Sequence, residues 1–233
     1  MFPGFPKEAV TFFKGLARNN NREWFQPRKE IFESKVKTPM VGLVEALNAE
    51  FAKYAPDYIN DPKKAVYRIY RDVRFSSDKS PYKTHLAAAF ARRGGDRNSS
   101  AGFYFHVSAK GVGVAGGLWE PPPEQLLAVR TWLVENHARF RNGARPSEKL
   151  MGKLHGEGLQ RIPKGFAADH PAADLIKMKR WVFFTSLDPK LITSPKLVAE
   201  LMKRFRAMLP ALELLNEPLT AQRRREALRT AVE

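Results

Sequence analysis

The chain of 233 residues contains no cysteine. That excludes disulfides, thiolate metal ligands and a cysteine nucleophile, and it fits a cytoplasmic protein. Long apolar runs are missing as well. A stretch such as His85 to Ala91 (HLAAAFA) is far too short to span a bilayer, so no membrane association is expected. The first residues show no basic leader followed by an uninterrupted apolar segment, which argues against a signal peptide. HExxH, paired HxH and clustered carboxylates are absent, and the abundant positive charge opposes a bound cation, so no metal is expected. There is no GxSxG elbow, and the glycine-rich stretch from Gly111 (GVGVAGGLW) is neither a GxxxxGKS loop nor a strand-to-helix GxGxxG. It reads as a twisted or bulged strand, and no cofactor is expected. Repeats, low-complexity tracts and a clear linker are lacking too, which points to one α+β domain over 1–233.

Acidic residues are scarce relative to basic ones: 24 Asp and Glu face 40 Lys and Arg, a net charge of +16. The excess is uneven. Residues 63–93 carry nine basic and two acidic side chains, nearly half of the surplus in 31 positions. A uniformly basic surface would suggest solubility or adhesion to polyanions; a local excess suggests a site.

The hydrophobic pattern gives the elements. Phe5, Ala9, Phe12, Phe13 and Leu16 are spaced as on one helix face. With Asn20 as an N-cap, Glu23 completes a capping box for a second helical stretch, interrupted near Pro27 and Pro39. From Ala65 the period changes to two. AVYRIYRDVRF (65–75), THLAAAFAR, AGFYFHVSA, GVGVAGGLW and, later, RWVFFTSL read as strands. Consecutive strands joined by RRGGDRNSS and AKG turns predict an antiparallel meander from the middle of the chain, packed by N-terminal and C-terminal helices. PPPEQLLAVRTWLVENHARFRNG predicts a helix that starts on prolines and ends at Asn142–Gly143. A short helix follows (SEKLMGKLHG), and two or three more are expected from Ser194 onward. Trp119 beside Pro121 to Pro123 reads as a packed corner.

Strand alternation divides the charged segment 66–75. Arg68, Tyr70, Asp72 and Arg74 fall on one face; Tyr67, Ile69, Arg71, Val73 and Phe75 fall on the apolar one. Arg71 among apolar neighbours needs a carboxylate, and Asp78 or Asp72 can supply it, so Arg71, Asp72 and Asp78 form the expected structural ion pair. Lys83 and His85 share a face of the next strand, and Tyr104 and His106 share one in the third. If these faces stack, Arg68, Arg74, Lys79, Tyr82, Lys83, His85, Tyr104 and His106 make an expected site for phosphate or carboxylate. His85 or His106 with Asp72 or Asp78 would form an acid–base pair if the protein is an enzyme, which the residues leave open. The ligand-site reading stands against a structural or interaction protein whose Arg/Asp motif is an ion-pair scaffold. A second alternative is a nucleic-acid module using the basic surface, including AQRRREALRT at 221–230. Oligomeric state stays open.

The series NNNREWF, RIYRDVRFSSDKSPYKTH, GFYFHVS, GGLWEP and PKGFAADHP, in that order over nearly the whole chain, resembles the domain-of-unknown-function 2461 family. Its Arg-x-x-Arg-Asp-x-Arg-Phe signature, followed by Asp, Lys and Tyr, falls on Arg68, Arg71, Asp72, Arg74, Phe75, Asp78, Lys79 and Tyr82. The resemblance implies a bacterial-type single-domain protein and carries no activity or catalytic residue with it.

Overall fold

The computed structural model of the chain describes residues 2–95 and 100–230, with the backbone alone from residue 222. Four strands, β1 (His85–Phe90), β2 (Gly102–Ser108), β3 (Gly111–Leu118) and β4 (Trp181–Leu187), form one antiparallel sheet in the order β1-β2-β3-β4. The expected meander is therefore present, with helices before and after it in the chain. The long helices are α1 (Lys7–Arg18), α2 (Thr38–Tyr54), α3 (Pro123–Met151) and α4 (Leu197–Thr230).

The fold divides into two compact units. The first comprises Met1–Phe90, Tyr104–Val114 and Ser186–Lys203. Its core is aromatic: Phe12 and Phe13 of α1, Phe25, Phe32, Phe51 of α2, Phe90 and Phe105 are all buried. Phe51 meets Phe90 edge-on at 4.9 Å, and Phe25 stacks on Tyr82 at 4.1 Å. Asn21, rather than Asn20, caps the second helical stretch by accepting from the Trp24 amide at 2.8 Å. Before α2 the helix widens into a π-helical turn over Phe32–Lys37, ending where the Thr38 amide donates to the Glu33 carbonyl. Pro39 follows directly. Its ring lacks an N–H and crowds the carbonyl four residues back, and a widened turn relieves both problems.

The second unit comprises Ala91–Phe103, Ala115–Thr185 and Arg204–Glu233. Here α3 runs through Asn142–Gly143, where a stop was expected, and absorbs Pro146. Gly143 is a packing notch: a Cβ there would lie 2.6 Å from Leu214 Cδ1. Helix α4 likewise continues through Pro210 and Pro218 instead of breaking into two or three helices. Both proline sites lie in helices that bury apolar residues, and tertiary packing outweighs the local penalty. Arg139 holds Glu217 through two hydrogen bonds of 2.8 and 2.6 Å, and Asn216 pairs with both backbone groups of Ala101. Trp119 is half exposed, with the Arg180 guanidinium 4.3 Å above its ring.

Among the described residues, no helix is long and apolar enough to cross a membrane.

Candidate functional site

The charged segment 66–75 is extended without being a regular strand. Two isolated antiparallel bridges tie it to β1 and to the residues before that strand, Val66 with Ala88 and Tyr70 with Tyr82. The Tyr67 amide donates to the Ala87 carbonyl, Lys83 to Ile69 and Arg71 to Pro81, at 2.8–2.9 Å. The expected division of faces holds as far as Val73. Arg68, Tyr70, Asp72 and Arg74 are exposed, Ile69 is buried, and Tyr67, Arg71 and Val73 are half-buried. Phe75 departs from it and is 96% exposed. The reason is a local turn. Asp72 accepts from the Arg74 backbone amide at 3.2 Å, which ends the extended run before Phe75 can reach the core side.

The arginines separate into roles. Asp72 grips the Arg74 guanidinium with both oxygens, at 3.0 Å from Nε and 2.7 Å from Nη2, and this contact holds the carboxyl at a pKa of about 2. Arg71 pairs with Asp78, whose pKa lies well below the usual carboxylate range because Ser80 donates to it from both hydroxyl and amide, with Arg71 adding to the effect. Asp72 is thus the partner of Arg74, and Asp78 is the carboxylate that holds Arg71, which also donates to the Ser76 hydroxyl at 3.5 Å. Lys79 reaches back to the Val73 carbonyl at 3.0 Å. These contacts fold residues 71–80 onto themselves. Arg68 is different: no carboxylate among the described residues forms an ion pair with it.

A second group forms on β1 and β2. The rings of His85 and His106 lie 4.9 Å apart, and Tyr104 lies 5.7 Å from His106. Tyr67 approaches Tyr104 at 6.4 Å, and Lys83 Nζ sits 5.4 Å from the Tyr67 ring centre. Burial dominates the electrostatics. It pushes the His85 pKa down to about 4, helped by His106 and Lys83; it also lowers His106 and raises Tyr104 to about 12. Lys83 is lowered by burial and by the charge of Arg68. Two cations therefore repel one another beside two imidazoles held neutral at pH 7.

Of the expected ligand set, Lys83, His85, Tyr104 and His106 come together, and Arg68 lies within electrostatic reach of Lys83. Arg74 and Lys79 are engaged elsewhere. Tyr82 is buried in the Phe25 stack, away from solvent. Asp72 and Asp78 are both held by arginines, so neither makes the acid–base pair with His85. Among the described residues, no group of three His, Asp or Glu side chains is placed to hold a metal. The side chains of the basic segment from residue 222 lie outside the described residues.

Two contributors had no sequence signal. Asn20 clamps the backbone of Tyr82, donating from Nδ2 to its carbonyl at 2.9 Å and accepting its amide at 3.1 Å. Gly113 of β3 makes room for His106: a Cβ there would lie 2.2 Å from the imidazole Cε1. Beside Arg68 there is also a cavity of about 720 Å³, with Phe25, Phe32, Ile69 and Leu86 in its wall.

No curated protein and no solved structure matches the chain. A family model does, over residues 8–213, and by that match the chain belongs to the conserved hypothetical protein family DUF2461.

Proposed function

We propose that this protein binds a small anion, phosphate or carboxylate, between Arg68 and Lys83, with Tyr104 and His85 as neighbouring hydrogen-bonding groups. The observation that carries this reading is the placement of two cations, Arg68 and Lys83, beside the Tyr67, Tyr104 and His85 group. The Lys83 pKa is lowered first by burial and second by the charge of Arg68, and no carboxylate among the described residues forms an ion pair with either cation; Asp72, held by Arg74, acts on Arg68 only at longer range. Like charges kept together cost stability, and an anion between them turns that cost into binding energy. Arg68 offers a planar fork, Lys83 a point charge, and the Tyr104 hydroxyl a directional donor.

The test is isothermal titration with inorganic phosphate at fixed ionic strength. Saturable binding is expected, and Arg68→Ala and Lys83→Ala should each weaken it about tenfold or more. Arg74→Ala, whose guanidinium already has Asp72, should change it less than about twofold. No saturable binding, or equal losses in all three variants, overturns the proposal.

The Arg71–Asp78 and Arg74–Asp72 pairs favour a second reading for the other half of the motif. There the charges shape a loop, and their removal affects stability without touching a ligand.

A further inference from the structure

The cavity beside Arg68 has a composition that narrows the ligand. Phe25, Phe32, Ile69 and Leu86 of its lining are buried, whereas Lys29, Lys63 and Arg68 of the same lining are exposed. Its apolar part is therefore inside and its cationic part at the mouth. The one carboxylate in the lining, Glu33, is engaged by Lys37 at 2.8 Å. No carboxylate among the described residues forms an ion pair with Lys29, Lys63 or Arg68. Phe32, Glu33 and Lys37 of the lining belong to the π-helical turn, a rare geometry that recurs at functional sites. About 720 Å³ lies well within the range of pockets that enclose drug-sized molecules and is far more than a lone phosphate occupies.

We infer that the ligand is an amphipathic anion, with an apolar body in this cavity and a carboxylate or phosphate head at the Arg68 mouth. The inference rests on the anion reading above and adds the apolar body to it. Arg68 and Tyr67 line the cavity, and Tyr67 also contacts Tyr104 and Lys83, so head and body sites adjoin through two consecutive residues. An apolar wall rewards a chain that leaves water, and the cationic mouth selects against an uncharged chain of the same length.

Four probes separate the contributions in calorimetric titrations: decanoate, decanol, acetate and inorganic phosphate. Decanoate should bind at least about a hundredfold more tightly than acetate, because its chain is buried. Decanol should bind at least about tenfold more weakly than decanoate, and Arg68→Ala should remove that difference. Val41→Trp fills the cavity and should abolish the advantage of decanoate while leaving phosphate binding in place. Thr38→Phe, at an exposed lining position, does the same if the first variant fails to fold. Phosphate binding that depends on Arg68, together with decanoate no better than acetate, overturns the amphipathic ligand and leaves the anion site standing. Absence of binding by phosphate and decanoate alike overturns both. Equal affinity for decanol and decanoate overturns the role of the charged mouth.

Discussion

Gly113→Ala is the most direct probe of the imidazole cluster. The added methyl would lie 2.2, 2.7 and 2.8 Å from Cε1, Nε2 and Nδ1 of His106, so the ring must move. It has little freedom to do so, with His85 and Tyr104 at 4.9 and 5.7 Å. Overpacking of this kind costs about 1–3 kcal/mol. Replacing a strand glycine returns roughly 0.5–1 kcal/mol of backbone entropy. A net loss of up to about 2.5 kcal/mol follows, or up to roughly 10 °C in Tm for a chain of this size. The assay is thermal unfolding of four proteins: wild type, Gly113→Ala, His106→Ala and the double variant. With the imidazole gone, the methyl has space, so Gly113→Ala should be neutral or slightly stabilising in the His106→Ala background. A coupling of at least about 1 kcal/mol is expected. Equal destabilisation in both backgrounds would refute the steric account.

Four further outcomes follow from the same geometry. Asn20→Ala removes both hydrogen bonds to the Tyr82 backbone and should cost about 2 kcal/mol in denaturant unfolding, with Asn20→Asp no better because its carboxylate faces the Tyr82 carbonyl. His85 is neutral in the fold with a pKa of about 4, against 6.5 when exposed, so the unfolded chain takes up the proton first as pH falls. Its contribution is complete above pH 6.5 and is lost between 6.5 and 4. The full interval equals about 3 kcal/mol, which partial solvent contact reduces to about 1–2 kcal/mol; urea midpoints of wild type and His85→Gln across that range should diverge accordingly. Sulfate stays doubly charged over the same range, and its affinity should rise as pH falls from 7 to 5 in the wild type and less so in His85→Gln. Arg71→Ala should cost only about 1 kcal/mol, since the Arg71 side chain is 26% exposed and that of Asp78 58% exposed. An unfolding loss above 3 kcal/mol would show the pair to be far better shielded than it looks.

The fold class was legible because it rests on period. Alternation is clean in β2, where every second residue is buried; β1, β3 and β4 read as strands from short apolar or glycine-containing runs, and helical spacing marked α1 and α3. Helix ends were less legible. Asn142–Gly143 and the prolines at 146, 210 and 218 carry stop signals, yet the helices pass through them because neighbouring side chains occupy the notch or bury the flanking turns. At the site, alternation separated Arg68 from Arg71, which are exposed and half-buried respectively. It could not foresee the Asp72 turn, a two-residue contact that withdraws Arg74 and expels Phe75. Asn20 was read as a cap because capping is local, whereas its partner Tyr82 lies 62 residues away. Part of the cavity wall comes from the π-helical turn; Pro39 announced an interruption there but not its widened form.

The asparagine clamps also bear on the order in which the chain assembles. Asn20 with Tyr82, Asn48 with Asn60 and Asn216 with Ala101 each join a side-chain amide to both groups of a backbone position, across 62, 12 and 115 residues. Closing the longer loops has an entropic cost before either bond can form. The Asn20 and Asn216 clamps should therefore be absent from the folding transition state and present only after it. Removing either one should leave the refolding rate nearly unchanged and accelerate unfolding, so these two side chains act as latches on the lifetime of the native state.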